Sequence, residues 1–196
     1  MRLKSIFSTA FALLLAVAVT AQANTWELDK SHTQVGFTVT HMVVTKVSGE
    51  FTEYEGEVNF DPENLADSKI KGVVKVASIT TENERRDNHL RSPDFFDAEN
   101  YPDIVFESTK ISKTDDGYVA VGNLTIRDVT KEVEIPFTLA GPVNDPRGNT
   151  RVGLEGSTTI NRQDYNVTWN NTLDNGGVVV SDEVTLNLNA QLIQQK

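Results

Sequence analysis

The chain has 196 residues, no cysteine, and 28 acidic against 18 basic residues, a formal net charge of −10. That length suits one domain with a sizeable core, and the missing thiols exclude disulfide staples, thiol nucleophiles and thiolate metal sites. The acidic balance disfavours binding to nucleic acid and repels anionic lipid headgroups.

Residues 1–23 read as a secretory signal peptide. Arg2 and Lys4 make a basic start, residues 6–19 are apolar apart from Ser8 and Thr9, and Ala21-Gln22-Ala23 places small residues where a signal peptidase reads. The apolar run is short for a membrane span and has no stop-transfer flank. Cleavage after Ala23 is expected, which places the chain from Asn24 onward in the periplasm. No cysteine stands at the junction to carry a lipoprotein anchor.

Alternation at period two dominates the rest. Val35, Phe37, Val39, His41 and Val43 fall on one face, against Gln34, Gly36, Thr38 and Thr40. Tyr54, Gly56, Val58 and Phe60 alternate with Glu53, Glu55, Glu57 and Asn59, and Ile70, Gly72, Val74 and Val76 with Lys69, Lys71 and Lys75. Further runs cover residues 104–110, 118–126, 129–139, 151–160 and 178–192. Each predicts an antiparallel strand, wet on one face and dry on the other. Turn signals separate the runs at Asp61-Pro62, Asp116-Gly117, Gly141-Pro142 and Asn175-Gly176-Gly177. Alternation stops over residues 80–100, where Thr81-x-x-Glu84 reads as a capping box, residues 82–90 as a short helix and Ser92-Pro93 as its stop. Eight one-faced strands either close into a barrel or split into a sandwich, and the long final run favours the barrel. A ten-residue strand tilted by 35–45° gives a barrel roughly 25 Å tall.

From Thr81 the chain reads Thr81-Glu82-Asn83-Glu84-Arg85-Arg86-Asp87-Asn88-His89-Leu90-Arg91-Ser92-Pro93-Asp94-Phe95-Phe96-Asp97, then Tyr101-Pro102-Asp103-Ile104-Val105-Phe106-Glu107-Ser108. This closely resembles the signature of the YceI family, periplasmic lipid-binding β-barrels. Trp26, Asp29, Ser31-His32 and Phe37-x-Val39-x-His41, followed by Gly49-x-Phe51 and Gly56, resemble its first strand and what comes after it. Gly122-x-Leu124-Thr125-Ile126, Val129-Thr130-Lys131 and Ser181-Asp182-Glu183-Val184 agree later in the chain. Two positions depart. Asp128 stands where the family usually has Gly, and Tyr165-Asn166 stands where an aromatic-Gly pair often follows the Arg-x-Asp of Arg162 and Asp164. Asp and Asn tolerate positive φ better than most residues, which suits both turns.

The resemblance implies an all-β fold, an eight-stranded antiparallel lipocalin-like β-barrel with a short helical segment between strands. It implies an interior that binds, stores or transports an isoprenoid quinone, polyprenyl phosphate or other long-chain lipid. Such a tail would fill the lumen end to end or fold back, with its head at one rim. No enzymatic activity and no cofactor beyond the bound lipid are expected. The expected partners are a long-chain apolar molecule and, transiently, a membrane lipid or a quinone enzyme, without stable membrane insertion.

Residues expected on the apolar lumen wall are Val35, Phe37, Val39, Tyr54, Val74, Val76, Phe95, Phe96, Phe106, Ile126, Phe137, Leu154 and Leu186. Mouth candidates for a headgroup are His32, His41, Arg86, His89 and Arg91, since arginine offers paired donors to phosphate. Bland readings stand beside these. The Arg85–Arg91 patch also reads as a solvated helix face paired with Glu82 and Glu84. Phe95 and Phe96 read as the underside of a lid or as a core plug. Pattern alone leaves a hollow lumen and a self-filled barrel, acting through its surface, equally open. Gly36, Gly56, Gly72 and Gly122 favour the hollow one if they face inward. An alternative is a metal-assisted enzyme using His32, His41 and His89 with Asp29 and Asp87. Against it, a nine-residue spacing puts His32 and His41 on opposite faces of a continuous strand. No Gly-x-Ser-x-Gly, His-Glu-x-x-His or phosphate-cradling loop supports a hydrolase.

Overall fold

Alternation gives every long strand one dry face, and the chain hides these faces by curling its sheet into a ring. The computed structural model describes residues 25–172, 174 and 176–195, so the expected signal peptide and its cleavage site lie outside the described residues. The first stave of the ring is bent. Its halves, β1 (Thr25–Leu28) and β2 (Gln34–His41), flank a 3-10 turn at Lys30–His32. The second stave joins β3 (Thr45–Phe51) to β4 (Tyr54–Asn59). The third joins β5 (Lys69–Lys75) to the short β6 (Ile79–Thr80) through a turn at Val76–Ser78. Helix α1 (Glu84–Arg91) follows. Five unbroken staves complete the ring: β7 (Asp103–Thr114), β8 (Gly117–Ile126), β9 (Val129–Asn144), β10 (Thr150–Asn161) and β11 (Val180–Gln194).

Neighbouring staves pair antiparallel around the ring. Closure is made by β11, which pairs with β10 on one side and with both halves of the first stave on the other, Leu28 opposite Leu192 and Phe37 opposite Leu186. The fold is therefore a closed eight-stranded antiparallel barrel, not a sandwich.

Local details differ from the alternation. β2 ends at His41, and Val43 lies in the following turn, exposed. Val76 leaves the strand pattern because it starts a 3-10 turn, where it is fully buried. The capping box does not form. Asn83 caps α1 instead, its side chain accepting from Arg86 N at 3.0 Å, while the Thr81 hydroxyl donates to Asp87. The two departures from the family pattern keep their turns: Arg127 and Asp128 have φ of 49° and 59° between the paired Ile126 and Val129, and Asn166 has φ of 60°. Two positive φ values in a two-residue hairpin match the twist of the flanking strands.

One end of the barrel is filled by its own side chains. Trp26, Val58, Phe60, Phe137, Leu154 and Leu192 belong to one buried cluster there, and the Phe60 ring meets Tyr118 edge-on at 5.2 Å. Trp26 satisfies its buried indole N–H by donating to Phe60 O at 3.0 Å.

Candidate functional site

The other half of the barrel is hollow. A cavity of about 250 Å³ lies among Phe37, Val39, Val74, Phe106, Ile126 and Leu186 of the staves, with Phe95 and Phe96 from the segment after α1. Val35 and Tyr54 also border it, so ten of the thirteen residues expected on the lumen wall reach the cavity. The other three do not. Phe137 and Leu154 point inward but belong to the filled end, and Val76 is held in its turn. Phe95 and Phe96 both border the cavity, Phe95 from within a buried cluster and Phe96 packed against it.

The four glycines divide. A side chain at Gly72 would meet no atom within 4 Å, so its absence leaves open volume on the cavity wall. Gly56 instead makes room for Leu28, whose Cδ1 would lie 2.4 Å from an added Cβ. Gly122 packs against the β7 bulge at Ser108, whose hydroxyl accepts the Ile70 N–H at 2.8 Å. Gly36 is out of step with Val35 and Phe37, whose side chains border the lumen; a Cβ there would meet the backbone oxygen of Gly49 at 3.0 Å.

A second hollow of about 460 Å³ shares Phe37, Val39, Leu90, Phe95 and Val180 with the first, and forms its mouth. Residues of α1 and Phe95 make one wall, and Trp169, Val179 and Val180 another. The two walls meet through rings: His89 lies edge-on to Phe95 and to Trp169, each at 4.9 Å, and Phe95 is 5.1 Å from Trp169. Trp169 was not singled out by pattern, because it sits between β10 and β11 where alternation gives no phase. Its signal was a large aromatic within an Asn-rich stretch.

Buried Arg162 fixes that second wall. It donates to Val167 O at 2.6 Å, Trp169 O at 2.9 Å and Ser181 O at 2.9 Å, and pairs with Asp182 at 3.1 Å. Burial pushes its pKa down and Asp182 pulls it back, but guanidinium keeps its charge in proteins.

Of the headgroup candidates, His41, Arg86 and His89 border the mouth. Arg86 is largely engaged, with Nε donating to the Thr81 hydroxyl at 2.7 Å and Nη2 to Thr81 O at 2.9 Å. Arg91 is turned away, toward Ile79 O at 2.9 Å and Asn88 at 2.9 Å. Asp87 receives the N–H and hydroxyl of Thr81 and the hydroxyl of Thr80. Burial pushes its carboxyl up, but these bonds and the Arg91 charge outweigh it and hold it below the ordinary carboxylate range. Three charged residues of the signature thus clamp α1 onto β6. Arg85 and Arg86 are both exposed at the mouth, but among the described residues only Arg86 has side-chain partners, which leaves the Arg85 guanidinium free.

His32 is absent from the mouth. It pairs with Asp29 at 3.1 Å before β2 begins, whereas His41 ends β2, roughly 25 Å further along at about 3.3 Å per residue. His89 lies 3.0 Å from Asp94. Among the described residues no cluster of three His, Asp or Glu side chains is placed to hold a metal ion, so the metal-assisted alternative loses its ligand set.

Comparison with known proteins places this geometry. Residues 26–192, nearly all of the barrel, match the YceI-like domain. A UPF0312 protein of Vibrio parahaemolyticus is 36% identical over 167 residues, 84% of this chain and 88% of the relative. The crystal structure of Burkholderia cenocepacia BcnA superposes with a TM-score of 0.74 at 25% identity, covering 84% of this chain and 99% of that one. A polyisoprenoid binding domain from Saccharophagus degradans shares the fold, with a TM-score of 0.61 at 11% identity over 88% of this chain and 99% of its own. With a domain match spanning the ring from its first stave to its last, and a relative this similar, the chain belongs to the YceI-like family.

Proposed function

We propose that this protein binds a long-chain isoprenoid lipid, an isoprenoid quinone or polyprenyl phosphate, and stores or carries it in the periplasm after loss of residues 1–23. The observation that carries the reading is Gly72, a strand residue without a side chain facing open volume in an apolar cavity. A barrel selected only for stability would fill that space, because interiors are close-packed and voids are destabilising. Affinity comes from burial, about 0.8 kcal/mol per methylene, and needs no specific contact along the tail. The polar head then lies in the mouth, near His41, Arg85, the free edge of Arg86 and His89. The same barrel in the Saccharophagus domain is described as polyisoprenoid-binding, which agrees with this use of the lumen. No catalytic role is assigned to any mouth residue; sequestration is the mechanism.

Mass spectrometry of organic extracts from protein purified without detergent tests the reading. A stoichiometric isoprenoid in the extract is the expected result. An extract free of apolar ligand, from protein that also fails to take up added polyprenol, overturns it.

A further inference from the structure

The turn between β2 and β3 carries three apolar residues that the fold leaves in water. Met42 is 45% exposed, Val43 68% and Val44 84%. Their backbone is strained as well. Met42 and Val43 have φ of 52° and 63°, and Val44 N donates to His41 O at 3.1 Å, closing a turn with two successive left-handed residues. Such turns favour Asn-Gly, and a β-branched side chain in this region is a genuine outlier. Strain and exposed apolar surface held at one spot point to a function for that spot. Its position suggests which. Met42 N donates to Val179 O at 2.8 Å, and Val179 borders the mouth beside His41. The tip stands next to the opening.

We infer that this tip docks the barrel on a lipid bilayer, with Met42, Val43 and Val44 entering the interface so that the mouth opens toward the membrane. The purpose of the contact rests on the lipid-binding reading; the contact itself does not. Three side chains on a turn fall far short of the roughly 1,000 Å² a specific protein interface needs, whereas a bilayer requires no complementary shape. Exposed Lys46 lies two residues beyond the tip and exposed Arg85 lines the mouth, so cations stand at this opening in a chain of net charge −10. They suit lipid phosphates, while the acidic remainder keeps the contact shallow and reversible.

The test uses purified protein, vesicles of phosphatidylethanolamine and phosphatidylglycerol, and a fluorescent polyprenol carried in them. Val43→Gly with Val44→Ser removes the two most exposed of the three apolar side chains and relieves the strain at position 43, since glycine accepts positive φ without penalty. We expect its flotation with vesicles and its rate of polyprenol uptake to fall about tenfold, the scale set by burying one valine side chain. Its melting temperature stays equal or rises, and its final polyprenol content is unchanged. Wild-type protein that does not float, or a variant that floats and loads at the wild-type rate, overturns the docking. Flotation lost in the variant while neither protein takes up polyprenol supports the docking and counts against the lipid reading instead.

Discussion

Two residues show how a single side chain, or its absence, sets a property. Gly72 faces the cavity with nothing within 4 Å and without a positive φ, so a larger residue meets no backbone obstacle there. Gly72→Leu should lower the lipid recovered in organic extracts while raising the stability of the lipid-free protein by about 0.5–1 kcal/mol, since glycine weakens a strand interior. Opposite signs separate occlusion from misfolding, and a variant with wild-type lipid content would place the ligand elsewhere. Asp128, at φ 59°, holds a left-handed conformation that glycine adopts without penalty. Asp128→Gly should stabilise the fold by about 0.5–1 kcal/mol in chemical denaturation, because the left-handed penalty disappears. Lipid content should not change, as Asp128 does not border the cavity.

At the scale of elements, α1 is held by charge rather than by an apolar face. Asp87 is its buried residue, and Arg86, Asp87 and Arg91 all bond to the chain from Ile79 to Thr81. These contacts change what mutagenesis should report. Arg86→Ala or Arg91→Ala removes charge-assisted bonds worth about 1.5–3 kcal/mol each and loosens the wall that carries Leu90 and Phe95. Both variants should melt earlier and retain less lipid whatever its headgroup. Arg85→Ala should leave the melting temperature alone and weaken only phosphate-headed lipids. Discrimination between headgroups lost on changing Arg91 but kept on changing Arg85 would reverse these roles.

The whole barrel has one plugged end and one open end. Of the two arrangements expected for a barrel roughly 25 Å tall, threading end to end is closed by the plugged end; a tail folds back within the hollow half or leaves through the mouth. At the seam of closure, Arg151 on β10 reaches Asp29 at 2.6 Å and Asp145 at 2.7 Å, and holds both carboxyls below their ordinary range. Asp87 is held low too, through bonds that outweigh its burial. A depressed folded pKa adds stability that is complete above the unfolded value and is lost as pH falls through the folded one. Melting temperature should thus be level with respect to these groups at neutral pH and drop below about pH 4. Arg151→Gln should flatten that acid limb; a melting temperature rising on acidification would contradict the assignment.

The strand content, the break at residues 80–100 and the inward phase of Phe37, Val74, Phe106 and Leu186 were all legible in the amino-acid order. Each rests on period-two alternation or turn chemistry, which are local, and the family signature carried the barrel and its lumen with them. Height along the barrel was not legible. Phe106 and Phe137 share an inward phase, yet one borders the hollow and the other fills the closed end, because that choice depends on strand stagger and on which rings meet across the lumen. The same holds for the arginines. Their spacing announces a cationic helix face, but only the docking of α1 on β6 decides that Arg86 and Arg91 bind backbone while Arg85 remains free at the mouth. Trp169 completes that mouth from about 80 residues away in the chain, a contact made by closure of the ring and by no pattern within either segment.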